Sequence, residues 1–140
     1  MIVEPFSPDH FRELTLQPHQ AAWQSTLASQ DWTHLGEKGE AWTGLVDGKP
    51  VACIGVADMG FGRGEAWALL SQDAGRSMLQ ITRAVERWFR VGPYRYLQIH
   101  TAASFVAAHR WATMLGFASR GCLPGYCENG EDALIWTRTR

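Results

Sequence analysis

ALLSQDAGRSML, residues 68–79, runs from an apolar segment through a short polar elbow into a helical pattern. Residues Glu65 to Leu70 read as a strand. From Gly75 to Arg90, Met78, Ile81, Val85 and Trp88 recur at spacings of three and four, with Arg83, Arg87 and Arg90 on another face, so the spacing predicts an amphipathic helix lying on a sheet. The elbow has two readings. The N–H groups at a helix start are unpaired and sit at the positive end of the helix dipole, which suits an anion. Gly75 would let a phosphate approach the backbone, Arg76 adds charge and Ser77 is small. Asp73 places a carboxylate in the niche an anion would use, and Ser71 or Asp73 could simply cap the helix. Both readings stay open.

Upstream, Met1 to Phe6 reads as a strand, and Ser7-Pro8-Asp9-His10 supplies an N-cap with proline at the first helical position of a helix reaching roughly Leu16. A second helical stretch is expected over Gln17 to Ser29. The segments 41–46 and 51–57 flank Asp47-Gly48-Lys49-Pro50 and predict an antiparallel hairpin. A Gly-rich connection, residues 59–64, leads into the strand at Glu65, giving a three-stranded meander.

Downstream, Gly92-Pro93 stops the long helix and Tyr94 to His100 alternates as a strand. Phe105, Ala108, Ala112 and Leu115 trace a shorter helix closed by Gly116. Phe117 to Cys122 and Ala133 to Thr139 form a last strand pair joined by the loop 123–130. The order is strand, two helices, three strands, helix, strand, helix, two strands: a mixed α+β domain with a largely antiparallel sheet.

The 140 residues suit a single domain spanning 1–140. Thirteen Lys and Arg against fourteen Asp and Glu give a net charge of -1, which disfavours direct nucleic-acid or membrane binding. Cys53, Cys122 and Cys127 have no metal-ligand spacing with a second half, so free thiols in a reducing cytoplasm and no metal are expected. The N-terminus carries an acid at position 4 and no long apolar run, so no signal peptide is expected. The seven tryptophans are scattered through all the expected elements and read mainly as core.

This order resembles the GNAT superfamily, the acyl-CoA N-acyltransferase fold, over essentially the whole chain. Two segments carry the resemblance. In the elbow, Gln72, Gly75 and Ser77 stand at the positions of the family pattern Gln/Arg-x-x-Gly-x-Gly/Ala, Ser77 being a departure. The run from Phe105 to Leu115-Gly116-Phe117 is similar to the family's last amphipathic helix, and residues 128–136 to its last hairpin. The His109-Arg110-Trp111 to Phe117 run further looks like short acetyltransferase-like proteins of tailed phages and prophages.

The resemblance implies a three-layer α+β fold. Its mixed, mostly antiparallel twisted sheet has helices on both faces and a V-shaped split between the strands ending at Ser71 and His100. It implies acetyl-CoA as cofactor, with the pantetheine arm on the backbone edge of residues 67–71 and the phosphates at the elbow. The candidate cofactor residues are therefore Leu69, Leu70, Ser71, Gln72, Gly75, Arg76 and Ser77. The candidate general bases are Glu65, at the start of the cofactor strand, and His100, at the end of the neighbouring one, each with a bland alternative as a solvated or sheet-capping residue. His109 reads as a surface or half-buried residue, and Tyr126 as a loop residue packed on the surface or near the cleft. The tyrosine that the family often carries four residues before its Gly-Phe is here Ala112.

Two function classes follow. One is transfer of an acetyl group from acetyl-CoA to an amine on a small molecule or protein. The other is non-catalytic: a phage or prophage protein that uses the scaffold for virion assembly or binding, with phage structural proteins as partners, or a small-ligand binding module without transfer. The expected location is the cytoplasm of a bacterial host, or a virion.

Overall fold

The computed structural model describes residues 1–23 and 39–140. The elements are β1 (Ile2–Pro5), α1 (Pro8–Glu13), a 3-10 turn (Pro18–Trp23), β2 (Gly39–Val46), β3 (Lys49–Gly60) and β4 (Arg63–Leu70). A 3-10 turn (Ala74–Ser77) then precedes α2 (Met78–Val91), β5 (Tyr96–Ala102), α3 (Val106–Met114), β6 (Ala118–Leu123) and β7 (Ala133–Thr139). Among the described residues, seven strands form one sheet in the order β1-β2-β3-β4-β5-β7-β6, in which only β4 and β5 pair in parallel.

Both hairpins of the meander turn over two residues, tighter than the turn-rich sequence suggests. Asp47 and Gly48 take φ of 52° and 77°, Phe61 and Gly62 58° and 73°. Positive φ at both central residues gives the strands a twist-matched return, and it is why glycine occupies the second position of each. Most of the Gly-rich segment 59–64 is consequently strand.

Alternation along β3 divides the core. Ala52, Ile54 and Val56 join Ile81, Val85 and Phe89 of α2, Ala112 of α3 and Leu115 just after it in one apolar cluster. Cys53 points the other way, into a smaller cluster with Phe11 of α1 and with Leu14 and Leu16 beyond it. Helices therefore cover both faces. On the α2 stripe, Ile81, Val85 and Phe89 recur every four residues and are buried, so Phe89 takes the deep place expected of Trp88. Trp88 lies half-buried, its Nε1 donating to Glu40 at 2.7 Å. Trp111 Nε1 donates to Thr82 Oγ1 at 2.8 Å and ties α3 to α2.

The expected strand Tyr94 to His100 is found at Tyr96–Ala102, and three helical boundaries move further. The first helix stops at Glu13 rather than near Leu16, because the chain leaves it to pair with the end of β4: Leu16 bridges Ser71, and Gln72 N–H donates to Thr15 O at 2.9 Å. Of the helix expected over Gln17–Ser29, residues 18–23 form a 3-10 turn, and the remainder lies outside the described residues. At the elbow, α2 begins at Met78 rather than Gly75, after a turn of 3-10 helix whose Ala74 and Ser77 are buried. Neither Ser71 nor Asp73 caps α2. Ser71 instead closes a small turn, its Oγ accepting from Asp73 N–H at 3.1 Å and its carbonyl from Ala74 N–H at 3.0 Å.

Candidate active site

The parallel pairing of β4 and β5 covers three positions only: Arg63 opposite Tyr96, Gly64 opposite Leu97 and Glu65 opposite Gln98. Its base is clamped by the second hairpin. Gly62 O accepts from Arg95 N–H at 2.8 Å and Tyr96 N–H at 3.2 Å, while Arg95 Nε donates to Phe61 O at 2.8 Å. Beyond Glu65 the strands part. From Gln98 to Ala102, β5 continues its ladder with β7, and β4 its ladder with β3, so neither strand loses its sheet. The split opens a cleft of about 670 Å³, walled by Met78 and Phe89 of α2 and by Ala108, Trp111 and Ala112 of α3.

Glu65 and His100, both candidates from the sequence, meet at the fork. Glu65 is the last residue of β4 paired with β5, and His100 is the next residue beyond Gln98 on the same face of β5. His100 Nδ1 lies 2.6 Å from Glu65 Oε1, the imidazole mostly buried and the carboxylate partly open to the cleft. An Nδ1–H donated to the carboxylate leaves Nε2 as the ring's lone-pair nitrogen, the form in which histidine accepts a proton.

Tyr126 stacks on this imidazole with ring centroids 4.8 Å apart and 22° between planes, so the loop 123–130 does reach the cleft. Its phenol is pushed above the ordinary range, first by burial and then by Glu65, Glu128 and Cys127. His109 serves the framework: its Nε2 is 3.0 Å from Ala102 O, at the end of β5, and its ring packs on Trp136. Ala112, standing where a proton-donating tyrosine was absent from the sequence, is fully buried.

The cofactor candidates divide by position. Leu69 and Leu70 line the cleft. Gln72, Gly75 and Arg76 are exposed on the elbow that follows, and Ser71 and Ser77 are buried. A Cβ built on Gly75 would meet nothing within 4 Å, so the backbone there is open to approach.

No local sequence pattern points to a third wall. Segment 17–20 lies along the cleft edge of β4, where Gln17 N–H donates to Leu70 O at 3.1 Å and Gln20 Nε2 to Ala68 O at 2.8 Å. These contacts join residues about fifty apart, which no local pattern encodes.

Among the described residues, no group of three or more His, Cys, Asp and Glu could hold a metal ion, and no helix is long and apolar enough to cross a membrane. Cys53 is fully buried, with its thiol pushed up to about 12 by desolvation against a smaller opposing hydrogen bond from Thr43. It is chemically inert at neutral pH.

A mostly antiparallel sheet with helices on both faces, opened between two parallel central strands, is the GNAT-like three-layer fold. Solved structures agree. An aminoglycoside 6'-acetyltransferase type Ii superposes with a TM-score of 0.72 at 17% identity, covering 99% of this chain and 97% of that one. A chimera of spermidine N-acetyltransferase SpeG from Vibrio cholerae and hSSAT gives 0.70 at 13%, covering 99% and 96%. Ribosomal-protein-S5-alanine acetyltransferase from Vibrio fischeri gives 0.64 at 14%, covering 98% and 91%. The chain matches no family model and no curated protein sequence. The names of these three structures carry an aminoglycoside, a polyamine and a ribosomal protein, so a shared fold does not select an acceptor.

Proposed function

We propose that the protein is an acetyl-CoA-dependent N-acetyltransferase acting on an amine of a small molecule or protein. The observation that carries this reading is the Glu65–His100 pair, set 2.6 Å apart where the two strands part. Acetyl-CoA, when bound, supplies the thioester. The residues that would hold it are the cleft edge of β4, through the backbone of Ala66, Ala68 and Leu70, and the elbow, through the open backbone at Gly75 with Arg76 nearby.

Glu65 orients the imidazole through Nδ1. His100 Nε2 takes the proton that an acceptor amine must lose as its nitrogen bonds to the acyl carbon. Tyr126 covers the other face of the ring and limits its rotation. The cleft walls exclude water and hold the amine close, which lowers the entropic part of the barrier. No donor at position 112 is required, because a thiol with a pKa of about 8.5 leaves as thiolate without a dedicated acid.

The test is calorimetric titration with acetyl-CoA, followed by acetyl-CoA consumption over a panel of amines. His100→Ala should lower kcat by roughly 100-fold or more, and Glu65→Gln by less, with acetyl-CoA affinity nearly unchanged in both. Turnover that survives both substitutions would remove the base assignment.

A non-catalytic role on the same scaffold, such as a phage assembly or binding protein, is the second reading. Exposed Asp73 favours it, since a carboxylate on the elbow stands in the niche that a phosphate would use. Absence of both acetyl-CoA binding and turnover in the wild-type protein would select it.

A further inference from the structure

The cleft edge of β4 is already partly paired by the protein itself. In an antiparallel ladder alternate residues turn their backbone groups to opposite sides. Ser71 N–H donates to Val51 O of β3 at 2.8 Å, so Ala68 and Leu70 face the cleft. The carboxamide of Gln20 bridges these two residues: Nε2 donates to Ala68 O at 2.8 Å, and Oε1 accepts from Leu70 N–H at 3.0 Å. One donor and one acceptor, separated by a single amide, are what the amide of an extended arm would offer the same edge.

The carboxamide is held in place. Gln17 Nε2 donates to Gln20 Oε1 at 3.2 Å, and Gln17 N–H reaches Leu70 O at 3.1 Å. The other end of the segment crosses the split. His19 stacks on Phe105, which follows β5, with ring centroids 4.3 Å apart and planes 2° from parallel. Residues 17–20 thus lace β4 to the far side of the cleft.

Resting on the proposed acetyl-CoA site, we propose that this segment is a strap that competes with the pantetheine arm for Ala68 and Leu70, so that CoA binds only as Gln20 is released. The edge cannot pair with both at once. Each Gln20 hydrogen bond opposes CoA by the free energy needed to break it. Removing the carboxamide therefore strengthens binding, the reverse of what loss of a ligand contact does.

The experiment uses CoA as the probe, with calorimetry and amide hydrogen exchange on the full chain. In the wild type, saturating CoA should speed exchange over residues 14–23 while Leu70 N–H stays protected, because one partner replaces another. Gln20→Ala should bind CoA roughly tenfold more tightly, as two hydrogen bonds no longer compete. If that variant folds poorly, Gln20→Leu tests the same point: it keeps the side-chain bulk, makes neither hydrogen bond, and should also bind CoA more tightly than wild type. CoA binding that protects residues 14–23, or that weakens or stays level in these variants, overturns the strap and leaves the acetyl-CoA site standing. Absence of CoA binding in wild type and variants alike overturns both.

Discussion

The two halves of the β4–β5 interface are built from the same two strands and have opposite fates. In the lower half, three parallel pairs are locked by the Phe61-Gly62 turn, whose carbonyls take three donors from Arg95 and Tyr96, and Leu97 is buried beneath them. In the upper half, backbone pairing between the strands stops. Ala66, Ala68, Ala102, Ala108 and Ala112 line the gap there, beside larger apolar walls such as Phe89 and Trp111. Closure is thus a property of backbone donors at the turn, and opening begins where those parallel pairs end. The carboxylate–imidazole pair sits on the boundary, positioned by the rigid half and exposed to the open one.

The sharpest way to break this contrast is to remove volume from the closed half. Leu97→Ala deletes a side chain only 2% exposed and leaves a cavity that the clamped strands cannot collapse. It should cost about 2–5 kcal/mol, read as a lower midpoint in urea unfolding with an unchanged slope. A loss under about 1 kcal/mol would mean that the clamp does not confer rigidity. Adding volume to the open half should behave differently. Ala108 is half-buried at the cleft wall, so Ala108→Leu extends into open space and should change stability by about 1 kcal/mol or less while filling part of the CoA site. Calorimetry should show weaker CoA binding by a folded protein; full affinity would place the arm elsewhere.

The same division explains what could be read from the sequence. Strand alternation, the two glycine turns and the α2 stripe are local patterns that led to their elements and to most of the order of the chain, whereas the split that opens beyond Glu65 and Gln98 was expected only from the family resemblance. That Glu65 and His100 form one hydrogen-bonded unit was not legible, since register between strands 35 residues apart depends on the Gly62 clamp. The elbow misled at one level: the helical spacing from Gly75 is real, but burial of Ala74 and Ser77 tightens that turn to 3-10 and delays α2 to Met78. Segment 17–20 was read as a helix because its local pattern carries no trace of β4. Its conformation is set by Pro18, which lacks an N–H, and by the Leu70 and Ala68 groups it satisfies.

The smallest expected effect lies at Gly75, where the elbow leaves the cleft, and its value is in opposed signs. A Cβ there meets nothing within 4 Å, so Gly75→Asp introduces no clash. The new carboxylate stands just before α2, at the positive end of the helix dipole, and the backbone loses the entropy of a glycine in the unfolded chain. Both terms favour the folded state, so the thermal midpoint should hold or rise slightly. The same carboxylate opposes a phosphate at the elbow. An interaction of this kind is worth about 0.3–1 kcal/mol, which corresponds to roughly two- to fivefold weaker CoA binding. A general loss of structure would lower midpoint and affinity together, so only the combination of a steady midpoint with weaker binding locates the phosphates at this elbow. Equal CoA affinity in the two proteins would remove Gly75 and Arg76 from the site and leave the β4 edge as its whole extent.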